Sequence, residues 1–230
     1  VARPRADDYE DKRALIFDRA AELFAEQGFS RTSIAELAAH CGASKSWIYH
    51  YFPSKEAILY AILRDHMRLL LRTAETELGR HQEPEAQLRA LLRAFMAIYV
   101  RAQAKHMVLL AELGCLPAGQ QSEIRGLERR VVDLVAGVLD RLETPPATGR
   151  DARMPITMML FGMINWTYTW YRPDGPISPA QLADLAADLF LDGLRNASRD
   201  PALHACGLDA DGAASGAADP YRGHRNHPNP

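Results

Sequence analysis

Cysteine is scarce in this chain. Its 230 residues hold three, Cys41, Cys115 and Cys206, an odd number with no CxxC pair. That excludes a disulfide framework and a zinc ribbon, and it predicts a reducing compartment, the cytoplasm. An excess of charge is lacking too. With 27 basic against 29 acidic residues the formal net charge is -2, so any footprint for a polyanion must be local. Long apolar runs are absent. The longest, around MPITMMLFGMINWTYTW, carries Asn165, Thr167 and Thr169 and is too short and polar to span a membrane. The N-terminal VARPRADDYEDKR has no apolar core, so no secretory leader is expected. Runs of alternating residues joined by hairpin turns are missing, which excludes a sheet protein. There is no nucleophile elbow, no HExxH, no glycine-rich phosphate loop and no carboxylate pair on an apolar helix. His204, Cys206, His224 and His227 match no metal-ligand spacing. An enzyme, a metal centre and a bound cofactor are therefore not expected.

What is present is helical periodicity. With 47% hydrophobic residues there is material for a substantial core. Ile16, Phe17, Ala20, Ala21, Leu23 and Phe24 define a helix over 11–27 that Gly28 stops. Ser33 and Glu36 have the spacing of a capping box, in which each side chain satisfies a free backbone N–H, and they predict a helix over 33–40. After Cys41-Gly42, Ser44 caps a short third helix ending near Tyr51. Pro53 then breaks the chain, and Ser54 caps a fourth helix with Leu59, Ile62, Leu63 and Leu70 as core positions. Further helices are expected near 84–103, 105–114, 120–142, 153–171 and 179–196, separated by GCLPAG, the linker TPPATG and RPDGP, with Ser178 capping the last. From Ser198 the composition shifts to Ala, Gly, Asp, His and Pro, too little periodic hydrophobicity to offset the entropy of ordering, and the tail reads as disordered. The expected fold class is all-α. The expected division is an N-terminal unit over 1–56, a larger helical unit over 57–197 and the tail over 198–230.

One segment is out of character: CGASKSWIYHYFPSKE, residues 41–56. Trp47, Tyr49, His50, Tyr51 and Phe52 lie between two Ser-Lys pairs, with no acid from Gly42 to Lys55. A helix, a glycine turn and a short second helix form a helix-turn-helix, which lays its second helix in the major groove of DNA. Ser44, Lys45 and Trp47 would lie early in that helix, where side chains reach base edges. Tyr49 and His50 can donate to phosphates, and Lys55 adds a charge beside a positive helix terminus. Thr32 and Ser33, heading the preceding helix, offer hydroxyls and backbone N–H groups to a phosphate. Ile48, Tyr51 and Phe52 are spaced to pin the short helix to the first. Two readings fit Trp47, a wedge against bases and a packing residue. Cys41 reads as a small buried hydrophobe.

Residues 16–59, IFDRAAELFAEQGFSRTSIAELAAHCGASKSWIYHYFPSKEAIL, resemble the DNA-binding domain of TetR-family transcriptional regulators. The AAELF of the first helix, GFSRTSIAELA, Ser44-Lys45 after the turn and IYHYFPSKEAIL carry the match. The resemblance implies an all-helical homodimer that binds a double-stranded DNA operator. Each subunit would have a three-helix DNA-binding domain and a larger domain that binds a small-molecule effector and dimerises. It assigns DNA contacts to Thr32, Ser33, Ser44, Lys45, Trp47, Tyr49, His50 and Lys55. Ser46-Trp47 departs from the family pattern, a glycine and a small residue, and bears on base specificity.

In the C-terminal half, Met158, Phe161, Gly162, Asn165 and Thr169 fall on one helical stripe and Met159, Met163, Trp166 and Trp170 on another. A helix apolar on two faces is covered on both, by a partner subunit, a core or a cavity. Gly162 would admit close approach of a helix or ligand, and Asn165 needs a polar partner. Phe95, Met96 and Tyr99 make an aromatic face upstream, with Met107, Leu110 and Glu112 as the facing wall. The candidate ligand-binding residues are Phe95, Tyr99, Met107, Met158, Phe161, Gly162, Asn165, Trp166 and Thr169, with plain core packing as the alternative for each. Leu182, Leu185, Ala186, Leu189, Phe190 and Gly193 read as one helix of an interface bundle. FGMINWTYTWYRPDGPIS and the final LFLDGL are similar to TetR regulators of fatty-acid, steroid or aromatic-acid catabolism, several of which respond to acyl-CoA thioesters. That implies an amphipathic effector whose phosphate-bearing end meets Arg101, Lys105 or Arg172. Competing readings are a DNA-binding regulator without an effector and a helical small-molecule-binding protein or enzyme.

Overall fold

Serine caps and two glycines set the N-terminal third. The computed structural model describes residues 4–142 and 153–197. In it α1 (Pro4–Gln27), α2 (Ile34–His40), α3 (Lys45–Tyr51) and α4 (Lys55–Arg80) follow in quick succession. Ser33, Ser44 and Ser54 each accept a hydrogen bond from the backbone N–H three residues on, those of Glu36, Trp47 and Ala57, the N-cap geometry that is worth about 1 kcal/mol per helix. Ser33 and Glu36 complete the expected capping box. Gly28 and Gly42 hold φ of 86° and 62°, a left-handed backbone that a side chain disfavours. They turn the chain out of α1 and α2.

The larger part comprises α5 (Pro84–Arg101), α6 (Gln103–Glu112), a 3-10 turn over Leu113–Cys115, α7 (Ala118–Leu139), α8 (Arg153–Asn165), a 3-10 turn over Trp166–Thr169 and α9 (Pro179–Ala197). No strand occurs among the described residues. The expected helices are found, with three differences. α1 starts at Pro4 rather than near 11. α8 ends at Asn165, and the chain continues in a 3-10 turn of about three residues per turn, so side chains beyond 165 leave the stripes of a regular helix. Ser178 and Gln181 form a second capping box at α9 that the serine alone did not reveal. The TPPATG linker and the tail from Ser198 lie outside the described residues.

The buried core runs without a break from Ile16 on α1 to Leu194 on α9. α4 threads it, burying Ile58, Leu59, Ile62, Leu63 and Leu70. α9 is fastened to α5 by Arg93–Asp184 and Arg89–Asp188, both at 2.6 Å, and by Arg195–Glu85 at 2.6 Å. Its remaining apolar side, Leu185 and Leu189, faces outward.

The turn after α1 is gripped from two helices. Glu112 Oε1, at the end of α6, accepts from the Phe29 N–H at 3.1 Å. Lys55 Nζ, at the start of α4, donates to the carbonyls of Phe29 and Thr32, each at 2.7 Å, and lies 4.2 Å from the centre of the Phe29 ring. Thr32 is buried, and its hydroxyl donates to the Gly28 carbonyl at 2.9 Å. Replacing the ammonium in Lys55→Met keeps the apolar stem and leaves two carbonyls without their charged donor. Stability should fall by about 2 kcal/mol, read as a lower urea midpoint; an unchanged midpoint would mean the turn holds without this lysine.

Candidate nucleic-acid interface and effector cavity

α3 is amphipathic in a particular way. Ile48 is fully buried, while Lys45, Ser46, Tyr49 and His50 are exposed. Tyr49 is 51% exposed, a large aromatic that the core does not need. There is no acid in the first turn, and Ser44 is held as the N-cap. Trp47 is half-buried, with its ring 5.0 Å from that of Tyr51, which lies 4.9 Å from Tyr9 and 5.1 Å from His50. Of the two readings open for Trp47, packing against the α1–α3 seam is the one its surroundings support.

Three of the groups expected to meet phosphate already have partners within the fold. The Thr32 hydroxyl is spent on Gly28 inside the fold. The Lys55 ammonium is spent on two backbone carbonyls. The Ser33 N–H donates to Glu36 Oε2 at 2.7 Å, which holds the Glu36 carboxyl below its usual range. Local pattern showed the donors and not the acceptors that already hold them.

The candidate ligand residues divide likewise. Tyr99, Met158, Phe161 and Asn165 line one cavity of about 180 Å³ between α4, α5, α6, α7 and α8, together with His106 and Glu128. Val131 and Val132 of α7 and Met67 and Leu70 of α4 complete its apolar wall. Phe95 is buried in the core, and Met107 is half-buried elsewhere. Gly162, Trp166 and Thr169 are exposed and do not line the cavity. A Cβ on Gly162 would meet nothing within 4 Å, so no close approach requires that glycine here. Glu112, expected in the facing wall, serves the Phe29 turn instead. Beside the cavity lies a charged cleft of about 440 Å³ lined by Asp18, Asp65, Arg72, Arg101 and Lys105; Arg172 is not part of it. Lys105 pairs with Asp18 of α1 at 2.7 Å.

Two histidines that the sequence reading passed over stand between these spaces. His66 borders the cleft and His106 the cavity. Their rings meet through His66 Nε2 and His106 Nδ1 at 3.3 Å, and Tyr99 stacks on His106 with centroids 3.8 Å apart. Burial, with the nearby Lys105 charge, pushes His66 down to about 4; burial, with His66, pushes His106 to about 3. Burial also raises the Glu128 carboxyl, against the pull of Arg125 and Arg129.

Residues 16–62 match the sequence profile of bacterial regulatory proteins of the tetR family, and residues 81–194 that of the tetracyclin repressor-like C-terminal domain. A TetR-family transcriptional regulator from Bordetella parapertussis superposes with a TM-score of 0.76 at 41% identity, over 80% of this chain and 96% of that one. The chain belongs to the TetR family. It is a DNA-binding transcriptional regulator and not an enzyme. The transcriptional repressor KstR2 of Mycolicibacterium smegmatis is 26% identical over 203 residues, 82% of this chain and 93% of its own length. The fold also matches AibR, solved with isovaleryl coenzyme A and operator DNA, with a TM-score of 0.68 at 24% identity over 77% of this chain and 97% of that one. In this TetR-family chain no group of three or more metal-ligating side chains occurs among the described residues, and no helix there is long and apolar enough to cross a membrane.

The histidine pair makes this TetR-family fold sensitive to acid. Unfolded, both rings take up protons near the ordinary 6.5; folded, they refuse them until about 4 and 3. Stability is complete above 6.5 and is lost as the pH falls toward 4, by on the order of a few kcal/mol. Thermal melts across that window should show a falling midpoint, and a His66→Leu/His106→Leu double variant should flatten the slope. A flat wild-type profile would show that the rings do not stay neutral.

Proposed function

We propose that this protein is a cytoplasmic repressor that binds a palindromic operator as a homodimer and leaves it when a hydrophobic small molecule fills the cavity between α4, α5, α6, α7 and α8. α1 to α3 with the start of α4 form the DNA-binding unit, and the remainder forms the effector and dimerisation unit. The DNA contacts fall to Ser44, Lys45, Tyr49 and His50, with Ser46 beside them and Trp47 at the edge.

The observation that carries this reading is the placement of α6. Within ten residues it presents His106 to the cavity, Lys105 to Asp18 of α1 and Glu112 to the Phe29 turn. A ligand that favours a shifted α6 therefore acts on the helix that holds the DNA-binding unit in place. It releases DNA only if it binds the shifted and unshifted states unequally. The effector class that we favour is an acyl-CoA thioester of lipid or aromatic catabolism. Its acyl part would enter the cavity and its phosphates would face Arg72 and Arg101 of the cleft. AibR, a protein of similar fold, was solved with isovaleryl coenzyme A.

The homodimer is supported by an uncovered apolar face. Met159, Met163, Trp166 and Trp170 project from α8 and the turn after it, and Leu185 and Leu189 from α9. A surface of this kind on one chain calls for a partner, and a second copy would set two α3 helices to read half-sites roughly 34–36 Å apart. Leu189→Glu should give a monomer in sedimentation velocity and lose the avidity of paired half-sites. A dimer that survives this change would move the interface elsewhere.

Fluorescence anisotropy with DNA from the gene's own upstream region tests the whole reading. Tight binding released by one of a panel of acyl-CoA thioesters is expected; binding that no thioester alters would discard that effector class and keep the DNA function. Lys45→Ala should weaken cognate DNA more than scrambled DNA if its ammonium reads a base edge, whereas equal losses on both would remove Lys45 from the base contacts.

A further inference from the structure

The cavity, and the histidine pair between it and the cleft, hold buried polar atoms that the protein leaves unanswered. His106 is 2% exposed and His66 3%. Beyond their shared contact, His106 Nε2 and His66 Nδ1 have no hydrogen-bond partner, and neither has Asn165 Oδ1. Buried polar atoms are nearly always paired, so each such atom calls for an explanation.

The protons on the two rings are not independent. Each neutral imidazole has one N–H and one lone pair. If His66 Nε2 donates to His106 Nδ1, then His66 Nδ1 carries a lone pair and His106 Nε2 carries a hydrogen; if His106 Nδ1 donates, both outer ends reverse. The cleft selects between these arrangements. Its cations are Arg72, Arg101 and Lys105, with Asp18 and Asp65 among them, and Asp18 is taken up by Lys105. Beside cations a lone pair on His66 Nδ1 is favoured over an N–H. His66 therefore donates, and His106 offers its Nε2–H to the cavity.

The cavity wall then holds a donor on His106, an acceptor on Asn165 and the Glu128 carboxyl, among Met158, Phe161 and the valines of α7. No lysine or arginine lines it. Its volume of about 180 Å³ is close to the roughly 150 Å³ of an apolar cavity that takes up benzene. From this geometry we propose that the cavity binds a single ring or short branched chain whose uncharged head, a hydroxyl or primary amide, accepts from His106 Nε2 and donates to Asn165 Oδ1. It discriminates against the carboxylate of the same body, which would set an anion beside the half-buried Glu128 carboxyl, where Arg125 and Arg129 act on Glu128 without lining the cavity. His66 is a positioning residue that keeps His106 Nδ1 an acceptor. The proposal rests on the reading of this cavity as the effector site. A plain thioester carbonyl answers His106 and leaves Asn165 unpaired, so the fitting acyl group carries its own hydroxyl or amide.

The test uses the full chain without DNA and four probes of one ring: toluene, benzyl alcohol, benzamide and benzoate, titrated by calorimetry. Benzyl alcohol and benzamide should bind roughly three- to tenfold tighter than toluene, and benzoate most weakly. Asn165→Leu, which keeps the bulk and removes the acceptor, should still take up toluene and lose the advantage of benzamide. Nitrogen NMR of the wild-type histidines reads the rings without any variant, and both should be protonated at Nε2. Benzoate binding as tightly as benzamide, no binding by any of the four, or a hydrogen on Nδ1 of either ring would overturn the proposal. Because no DNA is present, probes that bind as expected and yet never release operator would sink the effector reading alone.

Discussion

The Phe29 peptide group is held at both ends, its N–H by Glu112 of α6 and its C=O by Lys55 of α4. The turn around Gly28 packs its Phe29 ring against Phe24 and buries Thr32, and the two charged contacts fix the direction of the backbone between them. That direction fixes how α2 and α3 leave α1, and thereby where the acid-free face of α3 is presented. The DNA-binding unit is thus oriented by residues on its boundary rather than by its interior. A charge-assisted hydrogen bond suits the task, because it is directional and changes sharply with small displacements.

The same molecule reconciles two opposed demands. The core around α4 and α5 is closed and apolar, as stability requires. A few ångströms away the histidine pair, Asn165 and Glu128 leave polar groups buried and in part unanswered. Such groups reduce the stability of the empty protein and give a bound molecule something to satisfy. Sites of function are where a fold departs from the rules that its core obeys. The groups named here sit on four helices, and the ion pairs between α5 and α9 do not involve them.

Features whose causes are local could be read in the sequence. Ser33 with Glu36, Ser44 and Ser54 announced their helices, and Gly28 and Gly42 their turns, because a cap or a left-handed turn is decided within a few residues. What local pattern does not show depends on distant partners. The carbonyls that Lys55 serves lie 26 and 23 residues upstream, beyond the reach of a local pattern. His66 and His106, separated by 40 positions, gave no shared signal, and each alone resembled an ordinary helix residue. The two apolar stripes of α8 hold only as far as Asn165. The change to a 3-10 turn at Trp166 moved Thr169 out of the cavity stripe, and nothing in the residue types marks that change. Glu112 was assigned to a wall because its helix was recognised while its rotation was not.

α6 has a fixed reading frame. Lys105, His106 and Glu112 serve three different neighbours, and each added or lost residue turns the helix beyond it by about 100°. One residue inserted between His106 and Glu112 would leave every side chain in the sequence and swing the carboxylate to another side of the helix. Substitutions here can be graded, but a change in length breaks the connection at once. Relatives that keep this arrangement should therefore vary in which residues line the cavity while holding the spacing between these three positions constant.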